Sequence, residues 1–397
     1  MVTPKPLSML VTLLVGAILC LSRVPFACAF RSARWVAQTR TWLLQAALED
    51  TGLEFEEVKV KLMGKMQRGI ASGVPEEFAP ILKTFADEYA QSLAEAGETP
   101  EQFEYHVDTF MNNVMQAIKD PYLFGTNHAA VREPFDYYTW GNAFMEPLII
   151  KEESGMFGLE NAKKIEEITS RGENVIILSN HQTEVDAQVL SILLQKEGLG
   201  HLAEKVIFIA GHKVTTDPVA IPFSLGRNLL CIHSKKHIKN PPEDILRKQA
   251  QNLESMKAMR TLLSMGGQIF WVAPSGGRDR PDETGEFAVA PFDPKALDMF
   301  KLIAMQSGKP MHFFPMAMYT HQLVPPPDTF SQGMGEVRSA KRGAVSMHFM
   351  DETNGLGGLK DKVFTKELQD RVETEYQRLV KWHALARGRG TEGSSEQ

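Results

Sequence analysis

His181 and Asp186 stand five residues apart in "NVIILSNHQTEVDAQVL" (174–190), where a β-branched apolar run passes through a polar loop into a helical pattern. On one ideal helix five residues turn the chain by about 140°, so the two side chains would point apart. They meet only if the histidine lies on the loop ahead of the helix. There the carboxylate accepts from one ring nitrogen and fixes the tautomer, leaving the other nitrogen to take a proton from a substrate hydroxyl. This is the base and orienter of a triad without its nucleophile, and none is needed when the substrate carries the alcohol. Taken alone, a pair at this spacing is more often a histidine that caps a helix or satisfies a loop.

Two later blocks shift that balance. "GRNLLCIHSKKHI" (226–238) ends a strand pattern with Lys235, Lys236 and His237, and "IFWVAPSGGRDRPD" (269–282) empties another into Gly276, Gly277, Arg278 and Arg280. Glycines let a backbone approach a ligand, and guanidinium groups grip phosphate oxygens bidentately. The chain is acidic, with a formal net charge of -6 and a pI of about 6.0, which argues against generic nucleic-acid binding. Lys236, His237, Arg278 and Arg280 therefore read as a local anion-holding group, against the plainer alternative of solvated charged loops, which is the stronger for "SKKH".

Other chemistry is poorly supported. His233 and His237 are four apart but lack a convincing third zinc ligand. Ser275 has no G-x-S-x-G elbow, and Cys231 sits in an apolar run as a core residue would. Neither a Walker A loop nor a strand-following G-x-G-x-x-G occurs, so no nucleotide, metal or other cofactor is expected.

The elements that must position these groups form an α/β pattern. Apolar runs at Val175–Leu178, Val206–Ala210, Leu229–Ile232, Ile269–Ala273 and His312–Met318 alternate with helical segments. Consecutive apolar residues require strands covered on both faces. The expected fold is a mixed sheet flanked by helices, preceded by a small N-terminal helical bundle. The bundle is placed at 41–125, the α/β domain at 126–387 and a disordered tail at 388–397. In the bundle, Thr99, Pro100 and Gln102 mark a helix start.

Residues 1–40 differ from everything after them. Lys5, the apolar run Leu7–Leu21 and the small-residue stretch Ala27–Ala29 read as a secretory signal, and Arg31, Arg34 and Arg40 follow before the first acidic residue, Glu49. This resembles the bipartite presequences of algae with secondary plastids, with Phe30 after the cleavage site. The alternative is plain secretion, disfavoured because the remaining chain keeps one cysteine, Cys231, of 3. No later segment reaches membrane-spanning length.

At these residues the chain resembles a known family. "SNHQTEVD", "FSLGRNLLCIHSKKH", "WVAPSGGRDRPD" and "FFPMAM" with Pro325–Pro327 are similar to the four ordered blocks of the soluble plastid glycerol-3-phosphate acyltransferases. The similarity extends over roughly residues 42–385. It implies His181 as general base with Asp186 as its partner, and Lys236, His237, Arg278 and Arg280 as the phosphate-binding group. It also implies acyl transfer from acyl carrier protein or coenzyme A to the sn-1 hydroxyl of glycerol 3-phosphate, in the plastid stroma, with peripheral membrane contact at most. Ala187 departs from the proline that commonly follows the aspartate. The apolar "MHFFPMAMY" (311–319) is a candidate acyl-chain lining or simply a buried strand. Competing readings are a 1-acylglycerol-3-phosphate acyltransferase and a non-catalytic lipid- or acyl-carrier-binding protein.

Overall fold

Side chains alternate between the two faces of a strand, so a run apolar at every position needs a layer of structure on each side. The computed structural model describes residues 54–69, 78–233, 238–239, 241–326, 338–353 and 361–392. The expected presequence, "TWLLQAALED", Lys236, His237 and Pro327 lie outside these. The strands are β1 (Asn127–His128), β2 (Gly155–Phe157), β3 (Asn174–Ser179), β4 (Val206–Gly211), β5 (Asn228–Ile232), β6 (Ile269–Val272), β7 (Met311–Tyr319) and β8 (Ser346–Phe349). They form one sheet in the order β1-β5-β4-β6-β3-β7-β8-β2.

The five strands from β5 to β7 in that order are parallel. Strands β1 and β8 run antiparallel to β5 and β7, which makes the sheet mixed, and β2 lies parallel to β8 at the edge. Parallel neighbours open their C-terminal ends at one edge, where loops are free to carry chemistry. Ile176 of β3 faces Phe270 of β6 on one side and Phe313 of β7 on the other, so the loops after these three strands are adjacent.

The longer helices are α1 (54–69), α2 (Phe78–Ala96), α3 (Pro100–Lys119), α4 (Tyr137–Met145), α5 (Leu159–Ser170), α6 (Asp186–Lys196), α7 (Ile245–Met265), α8 (Pro294–Gln306) and α9 (Asp361–Glu392). Helices α7, α8 and α9 bury Met259, Leu263, Phe300, Phe364 and Val372 against Ile176, Leu178, Phe270 and Val272. Phe208 and Trp271, paired in register on the opposite face, turn toward α6. Helix α3 starts as its sequence demands. The Thr99 side chain accepts from Gln102 N–H, the Gln102 side chain accepts from Thr99 N–H, and Pro100 opens the first turn.

Residues Glu57–Gln397 form one compact unit. The joint between the front helices and α4 is aromatic: the Tyr89 and Phe144 rings stack at 4.4 Å, and Tyr89 donates its hydroxyl to the Phe144 carbonyl at 2.7 Å. Phe110 and Phe223 close on the same ring at 5.7 and 5.4 Å.

The five expected strands are present within one or two residues. Strands β1, β2 and β8 were not expected, because two to four residues carry no periodicity of their own. Helix α9 continues to Glu392, past Gly388 where the disordered tail was placed. Once nucleated, a helix extends through glycines such as Gly388 and Gly390 for about 1 kcal/mol each.

Phe144 is fully buried at the centre of the aromatic joint. Phe144→Ala is expected to cost about 3–5 kcal/mol of unfolding free energy in a urea titration. A loss under about 1 kcal/mol would mean that the cluster is not what seats the front helices.

Candidate active site

His181 lies on the loop after β3, and α6 begins at Asp186, so the histidine precedes the helix as the spacing required. His181 Nδ1 and Asp186 Oδ2 are 2.7 Å apart. The aspartate, 3 % exposed, is fixed on every side. Oδ2 also accepts Gln182 N–H at 2.9 Å, while Oδ1 accepts Thr183 N–H at 3.3 Å and the Thr320 hydroxyl at 2.6 Å. Thr320 follows β7, so two strand ends hold one carboxylate. Trp271 of β6 packs against the histidine ring, with ring centroids at 5.6 Å and planes at 80°.

The loop after β6 meets the histidine directly: Asp279 N–H donates to the His181 carbonyl at 2.6 Å. In this loop Gly276 has φ +65°, a left-handed turn that favours glycine, with open space around it. Arg278 reaches Glu184, within the His181–Asp186 loop, at 3.2 Å. Arg338 binds the same carboxylate through two nitrogens at 2.6 and 3.3 Å and Asp217 at 2.7 Å. Burial alone would raise the Glu184 pKa, but the Arg338 and Arg278 charges, with Lys213 beyond them, outweigh it and bring it down to about 2. Arg280 is half-buried on the same loop.

Beside the His181–Asp186 pair opens a largely apolar cavity, continuous with solvent at its mouth. Phe208, Trp271, Val219, Phe223 and Leu229 line it, together with Phe85 of α2 and Phe110 of α3. The front helices thus form part of its wall. Its polar lining includes His181, Glu184, Gln188, Arg227 and Arg338. Arg227 is buried, bonded to Ser191 and Asn142, and packed over the Tyr138 ring at 4.7 Å. Burial lowers its pKa to about 10.

An acyltransferase family model matches residues 158–350, which span this site. A chloroplastic glycerol-3-phosphate acyltransferase of Arabidopsis thaliana is 32 % identical over 345 residues, covering 84 % of this chain and 74 % of the relative. The chain belongs to the glycerol-3-phosphate acyltransferase family. The Cucurbita moschata relative is 39 % identical over 278 residues, and there the match spans 69 % of this chain and 58 % of the relative's length. A solved 1-acyl-sn-glycerophosphate acyltransferase from Thermotoga maritima is similar with a TM-score of 0.38 and 19 % identity, over 61 % of this chain and 78 % of that one. That likeness is too slight to bear on the fold.

In this family member the structure brings His181, Asp186 and Arg278 to one edge of the sheet, with Arg280 on the same loop. Lys236 and His237 follow β5 but are not among the described residues. Arg278 is paired with Glu184. The run at 311–319 is the interior strand β7, the buried-strand alternative, and is absent from the cavity lining, which comes from β4, β5, β6, the helices and the loops between them. Ala187 leaves the start of α6 at Asp186 intact, and itself lines the cavity. His233 bonds Gln251 at 2.9 Å, Cys231 is buried, and among the described residues no cluster could hold a metal. Sequence reading missed Glu184, Arg338, Asp217, Lys213 and Asp279. Of these, only Glu184 and Asp279 lie inside blocks already singled out.

The Glu184 pairing has a testable pH signature. Its folded pKa lies below the ordinary value of 4.5, so the stability it contributes is present above pH 4.5 and is lost as pH falls toward 2. A depression to about 2 corresponds to about 3 kcal/mol. Denaturant titrations from pH 5 to pH 2 should therefore show Glu184→Gln losing about 3 kcal/mol less than the parent across that window. Parallel curves would show that the ion pairs are not stabilising.

Proposed function

We propose that this chain transfers a fatty acyl group from an acyl carrier protein or coenzyme A thioester to the sn-1 hydroxyl of glycerol 3-phosphate. The observation that carries this reading is the placement of the His181–Asp186 pair at an apolar cavity lined by Glu184 and Arg338, with Arg278 paired to that same Glu184. A base, an anion grip and an apolar slot are what a small phosphorylated alcohol and an acyl thioester require together. The relatives' names, the shared blocks and the signal-plus-arginine presequence support action in the plastid stroma.

Asp186 holds His181 Nδ1, so Nε2 is the nitrogen that takes the proton of the acceptor hydroxyl. The oxygen attacks the thioester carbonyl, the C–S bond breaks, and the imidazolium returns its proton to the leaving thiolate. No acyl-enzyme forms, because the acceptor is its own nucleophile. The cationic loops hold the phosphate, which places the hydroxyl at the base and supplies the entropic part of the rate gain. Arg280, Lys236 and His237 complete the grip. The cavity takes the acyl chain, and the front helices become part of the specificity apparatus through Phe85 and Phe110.

The decisive experiment offers the processed protein glycerol 3-phosphate with acyl carrier protein and coenzyme A thioesters. His181→Ala should lower kcat by about 10²–10⁴ with little change in either KM. Arg278→Ala and Arg280→Ala should raise the glycerol 3-phosphate KM far more than the donor KM. Transfer by the His181→Ala protein at the parental rate would end the proposal.

The acyl slot is tested separately with Phe223→Trp, which fills part of the cavity. Each methylene kept out of an apolar site costs about 0.8 kcal/mol, roughly fourfold in kcat/KM. Long-chain donors should therefore lose several-fold more than short-chain ones, whereas a uniform loss would place the acyl chain elsewhere.

A further inference from the structure

Asp279 lies between the two arginines of the anion loop and has no exposed surface. Its backbone N–H donates to the His181 carbonyl at 2.6 Å. Its Oδ2 accepts from Asn180 Nδ2 at 3.1 Å and its Oδ1 accepts Ala290 N–H at 2.8 Å. Asn180 is the residue before the base, and its orientation is not adjustable. The same Nδ2 donates to the Met318 carbonyl at 2.9 Å while Oδ1 accepts Met318 N–H at 2.8 Å. Asn180 and Asp279 thus clip together the loops after β3 and β6, the end of β7, and the segment entering α8.

Only a carboxylate fits this position. An asparagine there would turn its amide NH₂ either toward Asn180 Nδ2 or toward Ala290 N–H, and each places donor against donor. Flipping Asn180 would break both bonds to Met318. Burial pushes the Asp279 carboxyl up to about 6, yet the anion still prevails at neutral pH. Since the residue is anchored inward, its half-buried neighbours Arg278 and Arg280 are carried at a fixed offset from His181.

We propose that Asp279 is a positioning residue that sets the distance from the base to the anion grip, and so matches the site to an alcohol whose anionic end lies a fixed span from its hydroxyl. This rests on the acyl-transfer reading above. Positioning of this kind matters only when both ends of the acceptor are engaged at once. An error of about 1 Å between two engaged groups costs roughly a hundredfold in rate.

The test compares kcat/KM for glycerol 3-phosphate with that for glycerol, which lacks the anion, using one acyl thioester. Asp279→Asn should lose roughly a hundredfold on glycerol 3-phosphate and only a few-fold on glycerol, so the preference between acceptors collapses. Asn180→Ala, which opens the clip from the other loop, should do the same. An active parent whose Asp279→Asn variant loses equally on both acceptors, or on neither, overturns the positioning role. So does failure of both variants to fold by circular dichroism, which would make the clip structural. A parent inactive toward glycerol 3-phosphate instead sinks the acyl-transfer reading beneath it.

Discussion

The carboxylate of Asp186 is almost wholly buried, and a buried charge is tolerable only when its hydrogen bonds are made. Four donors meet it, from His181, Gln182, Thr183 and Thr320. That requirement brings the loop after β3, the first turn of α6 and the end of β7 to one point. The parallel arrangement makes this possible, since β3 and β7 are neighbours and finish on the same edge. Orientation of His181 is then a by-product of satisfying a buried anion, and the imidazole is held in place by the fold itself.

The central sheet was legible in the sequence because its strands are buried on both faces and consecutive Val, Ile, Leu and Phe residues announce that. The His181–Asp186 geometry was legible for a different reason. A five-residue spacing excludes two residues on one helix from touching, and the flanking patterns leave only the loop-then-helix arrangement. The edge strands were not legible. Asn127–His128 and Gly155–Phe157 are strands because β5 and β8 offer unpaired edges, and nothing local in "NH" or "GMF" encodes that. Arg338 was invisible for a related reason: it is brought to Glu184 from 154 residues away, a distance over which composition says nothing. The run at 311–319 could be read as an acyl-chain lining or as a buried strand, because apolar density alone cannot tell a strand that faces a slot from one that fills a core; it is the buried strand.

The front helices show how the far end of a chain enters chemistry. Glu88 of α2 accepts from the Ser339 hydroxyl and from Ala340 N–H at 2.8 Å, and Ser92 donates to the Ala340 carbonyl at 2.9 Å. These bonds fix the segment that carries Arg338, while Phe85 and Phe110 close the cavity wall. Removal of the front helices would therefore open the slot and release an arginine from the rim in a single step.

Cations clustered in a partly buried cleft pose a problem, because they repel one another and lose hydration. Glu184 answers it by sitting between Arg278 and Arg338, and Asp217 takes a further bond from Arg338. The Glu184 pKa near 2 measures how strongly the cations hold that counter-charge. On the proposed function, a phosphate reaching Arg278 would meet a guanidinium already oriented by Glu184, with little side-chain entropy left to lose on binding. The same carboxylate would repel an anion that strays deeper toward the apolar cavity. Glu184 would thereby divide the proposed site, with phosphate at the cations, hydrocarbon within the apolar wall and His181 between them.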